Sequence, residues 1–362
     1  VPTIAVALPN HPYQVQIELG ALAQLGQHLK LLVQGRTLLV VSHPQIYKRY
    51  GTPLTTTLTQ AGFTIATCLI PAGERYKTPT TLHKIYDHCH QARLDRTCGL
   101  VALGGGVVGD LTGFAAATWM RGVPVVQVPT SLLAMVDAAI GGKTGLNTPH
   151  GKNLIGAFHQ PALVVVDPQV LVSLPPREWR SGLAEVIKYG VIWDHALFEL
   201  LEQQPDLTQR RLPTTVLLAL LTRSCQAKAA VVVKDEREGG LRAVLNYGHT
   251  VGHAIETATA YRIYTHGEAV SLGMVAAGAL AVHLGLWDPQ TLQRQNALIA
   301  HAGLPTRLPK LDPTHLVTLM QGDKKNHAGE LRFVLPTALG QALPATTVSP
   351  SVVEQVLQGL MT

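Results

Sequence analysis

The first half of the chain alternates short β-branched apolar runs with segments of helix length, and few folds accommodate that alternation. Ile4 to Leu8 and Gln14 to Leu19 flank Pro9-Asn10-His11-Pro12 and read as two strands joined by a turn. Leu38 to Ser42, Ile65 to Ile70, Gly99 to Gly104 and Val125 to Val128 follow, and Leu163 to Asp167 adds another. Strands spaced this way need crossover connections, so the sheet is parallel. Beyond Asp167-Pro168 the pattern turns helical, over Glu178 to Trp193, Thr214 to Val233, His249 to Ala260, Gly267 to Leu286 and Gln290 to Ala302. The fold class is therefore α/β: an N-terminal Rossmann-like α/β domain with a parallel sheet over 1–172, then a C-terminal all-α domain over 173–362. The boundary falls where Pro168, Pro175 and Pro176 cluster.

At 362 residues the chain exceeds the usual single core. Apolar residues make up 46% and charged ones 14%, which favours burial over disorder. The net charge of +6 comes from scattered Lys and Arg without a basic run or interleaved aromatics, so small anions fit better than nucleic acid. Cys68, Cys89, Cys98 and Cys225 show no CxxC spacing, which argues against a disulfide scaffold and a cysteine metal site. The few cysteines point to a reducing compartment, and no secretory pattern opens the given sequence at Val1. Ala269 to Trp287 has the length of a membrane span, yet its Gly, Ala, Ser271 and His283 indicate a buried core helix.

Three stretches carry chemistry. Gly104-Gly105-Gly106-Val107-Val108-Gly109-Asp110 follows a strand and opens the helix Leu111 to Met120, where backbone N–H groups and the helix dipole attract phosphate. The acidic residue of a standard dinucleotide fold is missing at the end of the next strand, where Pro129-Thr130-Ser131 stand. Ile140 to Gly145 and Gly151 to Gly156 form a glycine-rich connection with Lys143 and Lys152, suited to wrap an anion but lacking Walker A spacing.

The third stretch is Asn246 to Glu256 with His266-Gly267-Glu268. His249 and His253 share one helix face and Glu256 borders it, while Gly248 and Gly252 would let a ligand approach the backbone. Glu185 offers a carboxylate in a first helical turn capped by Ser181, or else forms an ordinary pair with Lys188. Two imidazoles and a carboxylate leave an open position on zinc, as a catalytic site requires. Lys228, the charges from Asp235 to Glu238, Arg242 and Asp323-Lys324-Lys325 add a polar surface for a phosphorylated substrate.

Gly104 to Asp110, Met120 to Pro124, Gly141 to Lys143, Gly151 to Phe158, Ala184 to Lys188, Asn246 to Glu256 and His266 to Glu268 together closely resemble the 3-dehydroquinate synthase family of sugar phosphate cyclases. The resemblance runs from about residue 10 to the end. It implies a cytoplasmic homodimer of the shikimate pathway, with no nucleic acid or membrane partner. The implied reaction takes 3-deoxy-D-arabino-heptulosonate 7-phosphate to 3-dehydroquinate and phosphate by transient oxidation, elimination, reduction, ring opening and aldol closure. The implied cofactors are NAD and a divalent metal, zinc above all, with cobalt as an alternative.

By the same resemblance the ligands are Glu185, His249 and His266, with His253 beside them as a proton-handling or substrate-binding residue rather than a ligand. Glu238, Lys143, Lys188, Lys228 and Arg242 are the other catalytic positions, and Arg121, Asp137, Lys152, Asn153, Asn246 and one of Lys324 or Lys325 bind substrate, Arg121 from the partner subunit. NAD contacts fall on Ala72, Gly73, Glu74, Arg75, Tyr76 and Lys77, on Gly106, Val107, Val108, Gly109 and Asp110, on Thr130, Ser131, Lys143 and Lys152, and on Val170, Leu171, Val172 and Ser173. Ser42 and Val172 depart from the family pattern, where an acidic group and a lysine are common. A metal-dependent polyol dehydrogenase and another sugar phosphate cyclase are the rival readings.

Overall fold

The computed structural model describes residues 2–210, 212–321 and 331–361. The chain divides into two compact units, Val1–Leu174 with Lys228–Val233 and Pro175–Ala227 with Lys234–Thr362. In the first unit the strands are β1 (Thr3–Val6), β2 (Tyr13–Ile17), β3 (Thr37–Ser42), β4 (Thr64–Leu69), β5 (Gly99–Gly104), β6 (Val125–Pro129), β7 (Lys143–Thr148), β8 (Gly151–Phe158) and β9 (Leu163–Val166). Its helices are α1 (Leu25–Leu32), the short α2 (Pro44–Ile46), α3 (Thr52–Gln60), α4 (Pro79–Gln91) and α5 (Gly106–Thr118).

Seven of these strands form one sheet in the order β1-β2-β9-β6-β5-β3-β4, in which β1 and β2 are antiparallel and the other pairs parallel. β5, β6 and β9 are buried on both faces, which is why β5 and β9 are unbroken apolar runs; β6 is interrupted only by Gln127, whose amide donates to the Gly109 carbonyl at 3.2 Å. Period-two alternation sends Leu39, Val41, Leu100 and Ala102 into a layer with Ile85 and Cys89 of α4 and Leu111 of α5. Leu38, Val40, Val101 and Leu103 go into the opposite layer with Leu25 and Leu29 of α1 and Leu54 and Leu58 of α3. The chain leaves β5 for β6 on one side, whereas β3 leads to β4 on the other. The carboxyl ends of β5 and β3 therefore flank the switch point where α/β sheets bind ligands.

In the second unit the elements are α6 (Pro176–Ile192), α7 (His195–Glu202), α8 (Thr214–Lys234), α9 (His249–Ala258), α10 (His266–His283), α11 (Pro289–His301), α12 (Pro313–Gln321), β10 (Leu331–Ala338), β11 (Gln341–Val348) and α13 (Pro350–Met361), with part of α8 belonging to the first unit. α10 is apolar all round and buried along most of its length, the core helix its composition predicts. Among the described residues, α8 is long and apolar enough to cross a membrane, and just over half of its apolar window is buried within the chain.

Several local expectations are corrected. α5 begins at Gly106, five residues before Leu111, so the glycine loop itself forms its first turn. α6 begins at Pro176 behind Pro175, which puts Ser181 and Glu185 inside the helix rather than at its cap. The glycine-rich connection is an antiparallel hairpin, β7 with β8, in which Gly145 faces Gly156. A second hairpin, β10 with β11, joins the helices of the second unit; its register shifts beside Pro336, the kind of irregularity that lets proline enter a strand.

Candidate active site

In the first unit, the loop after β5 turns directly into α5. Gly105 precedes the helix without a side-chain cap, so the N–H groups of its first turn point outward as an anion site. Neither Gly105 nor Gly106 has a positive φ, and a Cβ on either would meet only ordinary contacts, Ser131 Oγ at 3.5 Å and the Ala138 Cβ at 3.4 Å. Packing within the chain does not demand these glycines. A cradle that a Cβ would fill suits the close approach of a phosphate.

Around this loop lies a polar network. The Lys77 ammonium is buried, pairs with the Asp110 carboxylate and donates to Asn153 Oδ1 at 2.5 Å. Asn147 donates from Nδ2 to Glu74 Oε1 at 2.7 Å and accepts from the Asn153 N–H at 3.0 Å, while its own N–H donates to the Lys77 carbonyl at 2.8 Å. Burial pushes the Asp110 carboxyl up, and the ammonium of Lys77 only partly offsets it. Gly106 to Asp110, Glu74 to Lys77 and Asn153 are thus tied together, with Asn147 as a linker that the sequence did not single out. Ala72 and Gly73 are exposed just before this turn.

Thr130 is buried, its N–H donating to the Gly104 carbonyl at 2.9 Å, and Ser131 Oγ accepts from the Ala134 N–H at 3.3 Å. Val170 to Ser173 form a turn fastened by the Tyr50 hydroxyl, which lies 2.8 Å from Ser173 Oγ and 3.1 Å from the Val170 carbonyl oxygen; Val172 is exposed. Ser42 is fully buried and gives its hydroxyl to the Leu103 carbonyl at 2.7 Å, so it presents no polar group to a ribose. Lys228 Nζ meets Asp137 Oδ1 at 2.5 Å. Lys143 and Lys152 stand on the β7–β8 hairpin. Arg121 is exposed within three successive residues of positive φ, Met120 to Gly122, and lines a groove of about 480 Å³ with His11 and His159.

In the second unit three helices converge. Glu185 from α6 is fully buried; its Oε1 lies 3.5 Å from Nε2 of His249, which opens α9, and 3.5 Å from Nε2 of His266, which opens α10. One ligand atom from each of the three lies within 4.8 Å of the others. Burial alone would push the His266 imidazole down, yet the carboxylates of Glu185 and Glu256 raise it to about 10, marking a place where positive charge is favoured. Lys188 pairs with Glu185 as the sequence allowed, but the pair is buried and so differs from a surface i,i+3 pair.

Close backbone contact makes this convergence feasible. Gly248 has a left-handed φ of 78°, and a Cβ there would lie 2.7 Å from the Val270 carbonyl oxygen. A Cβ on Gly252 would meet the Ala269 carbonyl oxygen at 3.0 Å, one on Gly267 the Ser181 carbonyl oxygen at 2.0 Å, and one on Gly273 the Gly248 carbonyl oxygen at 1.8 Å. Gly248 and Gly252 therefore serve helix contact rather than ligand approach, a correction to the expectation from sequence. Ser181 accepts the Gly267 N–H at 3.0 Å instead of capping α6. Glu268 is a cap, closing a capping box with Thr265 and pairing with Arg177 at 2.6 Å.

His253 sits beside the cluster, its ring 5.3 Å from that of His249 and 6.1 Å from that of His266. Nearby in sequence, the Asp235 carboxylate accepts the N–H groups of Gly239, Gly240 and Arg242 at 2.7–2.8 Å and folds the loop that carries Glu238. Glu238 has a left-handed φ of 63° and its Oε1 accepts from Asn246 Nδ2 at 3.2 Å. Arg242 is fully buried and donates to the Glu236 carbonyl. Asp235 was missed as an organiser, although Gly239-Gly240 four residues on is a turn signal. Lys324 and Lys325 lie outside the described residues.

Two family models match the chain, 3-dehydroquinate synthase N-terminal over residues 67–181 and 3-dehydroquinate synthase C-terminal over residues 182–326. The chain is 58% identical over 361 residues to the 3-dehydroquinate synthase of a Synechococcus species, covering 99% of this chain and 98% of that one. The chain belongs to the 3-dehydroquinate synthase family. The family's enzyme from Nostoc punctiforme is 57% identical, covering 99% of both chains. Among solved structures, the 2-epi-5-epi-valiolone synthase of Streptomyces hygroscopicus subsp. jinggangensis, determined with NAD+ and Zn2+ bound, superposes with a TM-score of 0.89 at 31% identity over 98% of each chain. The chain is thus an enzyme of the 3-dehydroquinate synthase family with the sugar phosphate cyclase fold.

Proposed function

We propose that this enzyme converts 3-deoxy-D-arabino-heptulosonate 7-phosphate into 3-dehydroquinate and phosphate as a cytoplasmic homodimer of the shikimate pathway. The observation that carries the site reading is the meeting of Glu185, His249 and His266 from three helices, in a chain of this family. The donor set fits a divalent ion: two imidazole nitrogens and one carboxylate, with the fourth position open to substrate. The capless glycine turn at the start of α5 fits the pyrophosphate of NAD. When bound, NAD supplies a hydride acceptor that is restored each turnover, and the divalent ion, zinc or alternatively cobalt, supplies Lewis acidity toward a substrate hydroxyl.

The chain's own residues do the rest. Residues 1–172 are assigned to NAD, through Ala72 to Lys77, Gly106 to Asp110, Thr130, Ser131, Lys143, Lys152 and Val170 to Ser173. Residues 173–362 hold the ion and most of the substrate. Lys143, Lys188, Lys228 and Arg242 supply positive charge where carboxylate and departing phosphate need it, with Asp137, Lys152, Asn153 and Asn246 fixing the hydroxyls and phosphate. Asn246 holds one oxygen of Glu238, orienting that carboxylate to take or return a proton, and His253 serves the second proton site. Arg121 is assigned to the partner subunit's substrate, and one of Lys324 or Lys325 to a substrate contact. Holding the opened sugar acid in a near-attack pose is the protein's main contribution to ring closure.

Metal-loaded protein mixed with catalytic NAD and the heptulosonate phosphate tests this. Equimolar phosphate and 3-dehydroquinate without accumulated NADH are expected. NADH rising in step with product would indicate a polyol dehydrogenase instead, and turnover of a different sugar phosphate alone would indicate another cyclase.

A further inference from the structure

Each imidazole of the cluster has two nitrogens, and a neutral ring can give a lone pair to an ion from only one of them. For His249, Nδ1 lies 3.1 Å from the Tyr247 carbonyl oxygen while Nε2 faces Glu185. Tyr247 is itself held, fully buried, with its hydroxyl donating to Gln295 Oε1 at 2.6 Å. For His266, Nε2 faces Glu185 and Nδ1 lies 3.6 Å from Glu256 Oε2. Glu256 is 4% exposed and stands on α9, the helix that begins with His249. One helix thus supplies a ligand and the acceptor that faces the other imidazole.

We propose that Glu256 is a positioning residue: it accepts the Nδ1 proton of His266, which fixes the ring and its tautomer and leaves Nε2 for the ion shared with Glu185 and His249. The inference rests on the metal reading above and deepens it. The same side chains admit a competing arrangement, because His253, Glu256 and His266 also bring ligand atoms within 4.8 Å of one another. A second ion there would have to take Nδ1 of His266 while the first holds Nε2. Two divalent charges on one ring repel strongly, whereas a single N–H donated to a carboxylate satisfies both groups.

The test titrates metal-free protein with Zn2+ against a chromophoric chelator and records the melting of each metal-free form. Glu256→Gln, Glu256→Leu and, as a carboxylate outside the cluster's ion site, Glu268→Gln are compared with the parent. The parent should bind one equivalent. Both Glu256 variants should bind one equivalent about 10–100-fold more weakly, Leu worse than Gln, with NAD affinity unchanged. Glu268→Gln should lower the melting temperature through its lost cap and leave zinc affinity unchanged. In the Co2+-loaded protein the visible ligand-field bands should shift for Glu256→Gln and not for Glu268→Gln. Unaltered zinc affinity in a folded Glu256→Gln would overturn the positioning role alone, as would a parent that takes two equivalents and loses one on this substitution. A parent that binds no zinc would sink the metal reading and this inference with it.

Discussion

The loop from Gly104 to Asp110 is made of main chain, whereas the cluster of Glu185, His249 and His266 is made of side chains delivered by three helices. In the loop, an added Cβ at Gly105 or Gly106 meets nothing closer than ordinary contact, one at Gly109 meets the far end of Gln127 at 2.8 Å, and only at Gly104, the last residue of β5, does it strike the Val108 side chain, at 2.6 Å. In the cluster, an added Cβ at Gly267 or Gly273 strikes a backbone carbonyl at 2.0 or 1.8 Å. The first region is limited by what must fit against it, the second by how closely its own helices must pack. Local sequence can write the former, while the latter depends on many distant contacts at once.

The sharpest way to break this comparison is His249→Ala. It should abolish stoichiometric metal and lower turnover by about 10³-fold, the equivalent of several kcal/mol of lost charge stabilisation, while folding and NAD binding persist. Metal analysis alongside phosphate release checks it, and full metal retention would remove His249 from the ligand set. Gly273→Ala should destabilise the second unit by about 3 kcal/mol and weaken zinc, since only backbone displacement relieves the clash. Gly109→Ala, where the obstacle is the amide end of the buried Gln127 rather than backbone, should cost less, about 1 kcal/mol; equal costs in denaturant unfolding would erase the contrast.

A smaller effect is expected from Lys77→Met, which leaves the Asp110 carboxylate without its ammonium partner. Because Asp110 keeps some exposure, the loss should be about 2 kcal/mol, below the range for a fully buried pair. NAD affinity should fall and zinc affinity should not, as calorimetric titration of each ligand would report.

The smallest effect concerns Asp235. Burial opposes its ionisation, but the N–H groups of Arg242, Gly239 and Gly240 outweigh that and hold the carboxyl below its ordinary value of 3.8. Its contribution is therefore present above that value and lost as pH falls through the lower folded one. Asp235→Asn should remove about 1 kcal/mol near neutral pH and flatten the acid limb of the stability curve below about pH 4. An unchanged acid limb would show that the loop does not depend on this charge.

Much of the first unit was legible because its signals are local. Gly99 to Gly104 reads as a strand from its apolar run alone, and β5 has those same bounds. The start of α5 was misplaced because glycines and valines are poor helix formers, although here they form the first turn. Both hairpins were hidden by glycine or proline inside their strands, residues that ordinarily argue against a strand. In the second unit, Ser181 reads as a cap for α6 and Glu268 as part of a His-Gly-Glu stretch that carries chemistry. Their actual roles depend on Gly267 and Arg177, which are distant in sequence from one or the other.

By itself the sequence determined the alternation that makes a parallel sheet, the glycine turn after β5, and a supply of imidazoles and carboxylates at helix spacing. Those features follow from neighbours along the chain, whose geometry the backbone dictates. Only the tertiary structure decided that Glu185, His249 and His266 point at one place, that Gly248, Gly252, Gly267 and Gly273 bring α6, α9 and α10 close enough for it, and that Glu256 faces the outer nitrogen of His266. Those outcomes depend on helix-to-helix contact between residues far apart in the chain, a distance no local pattern encodes.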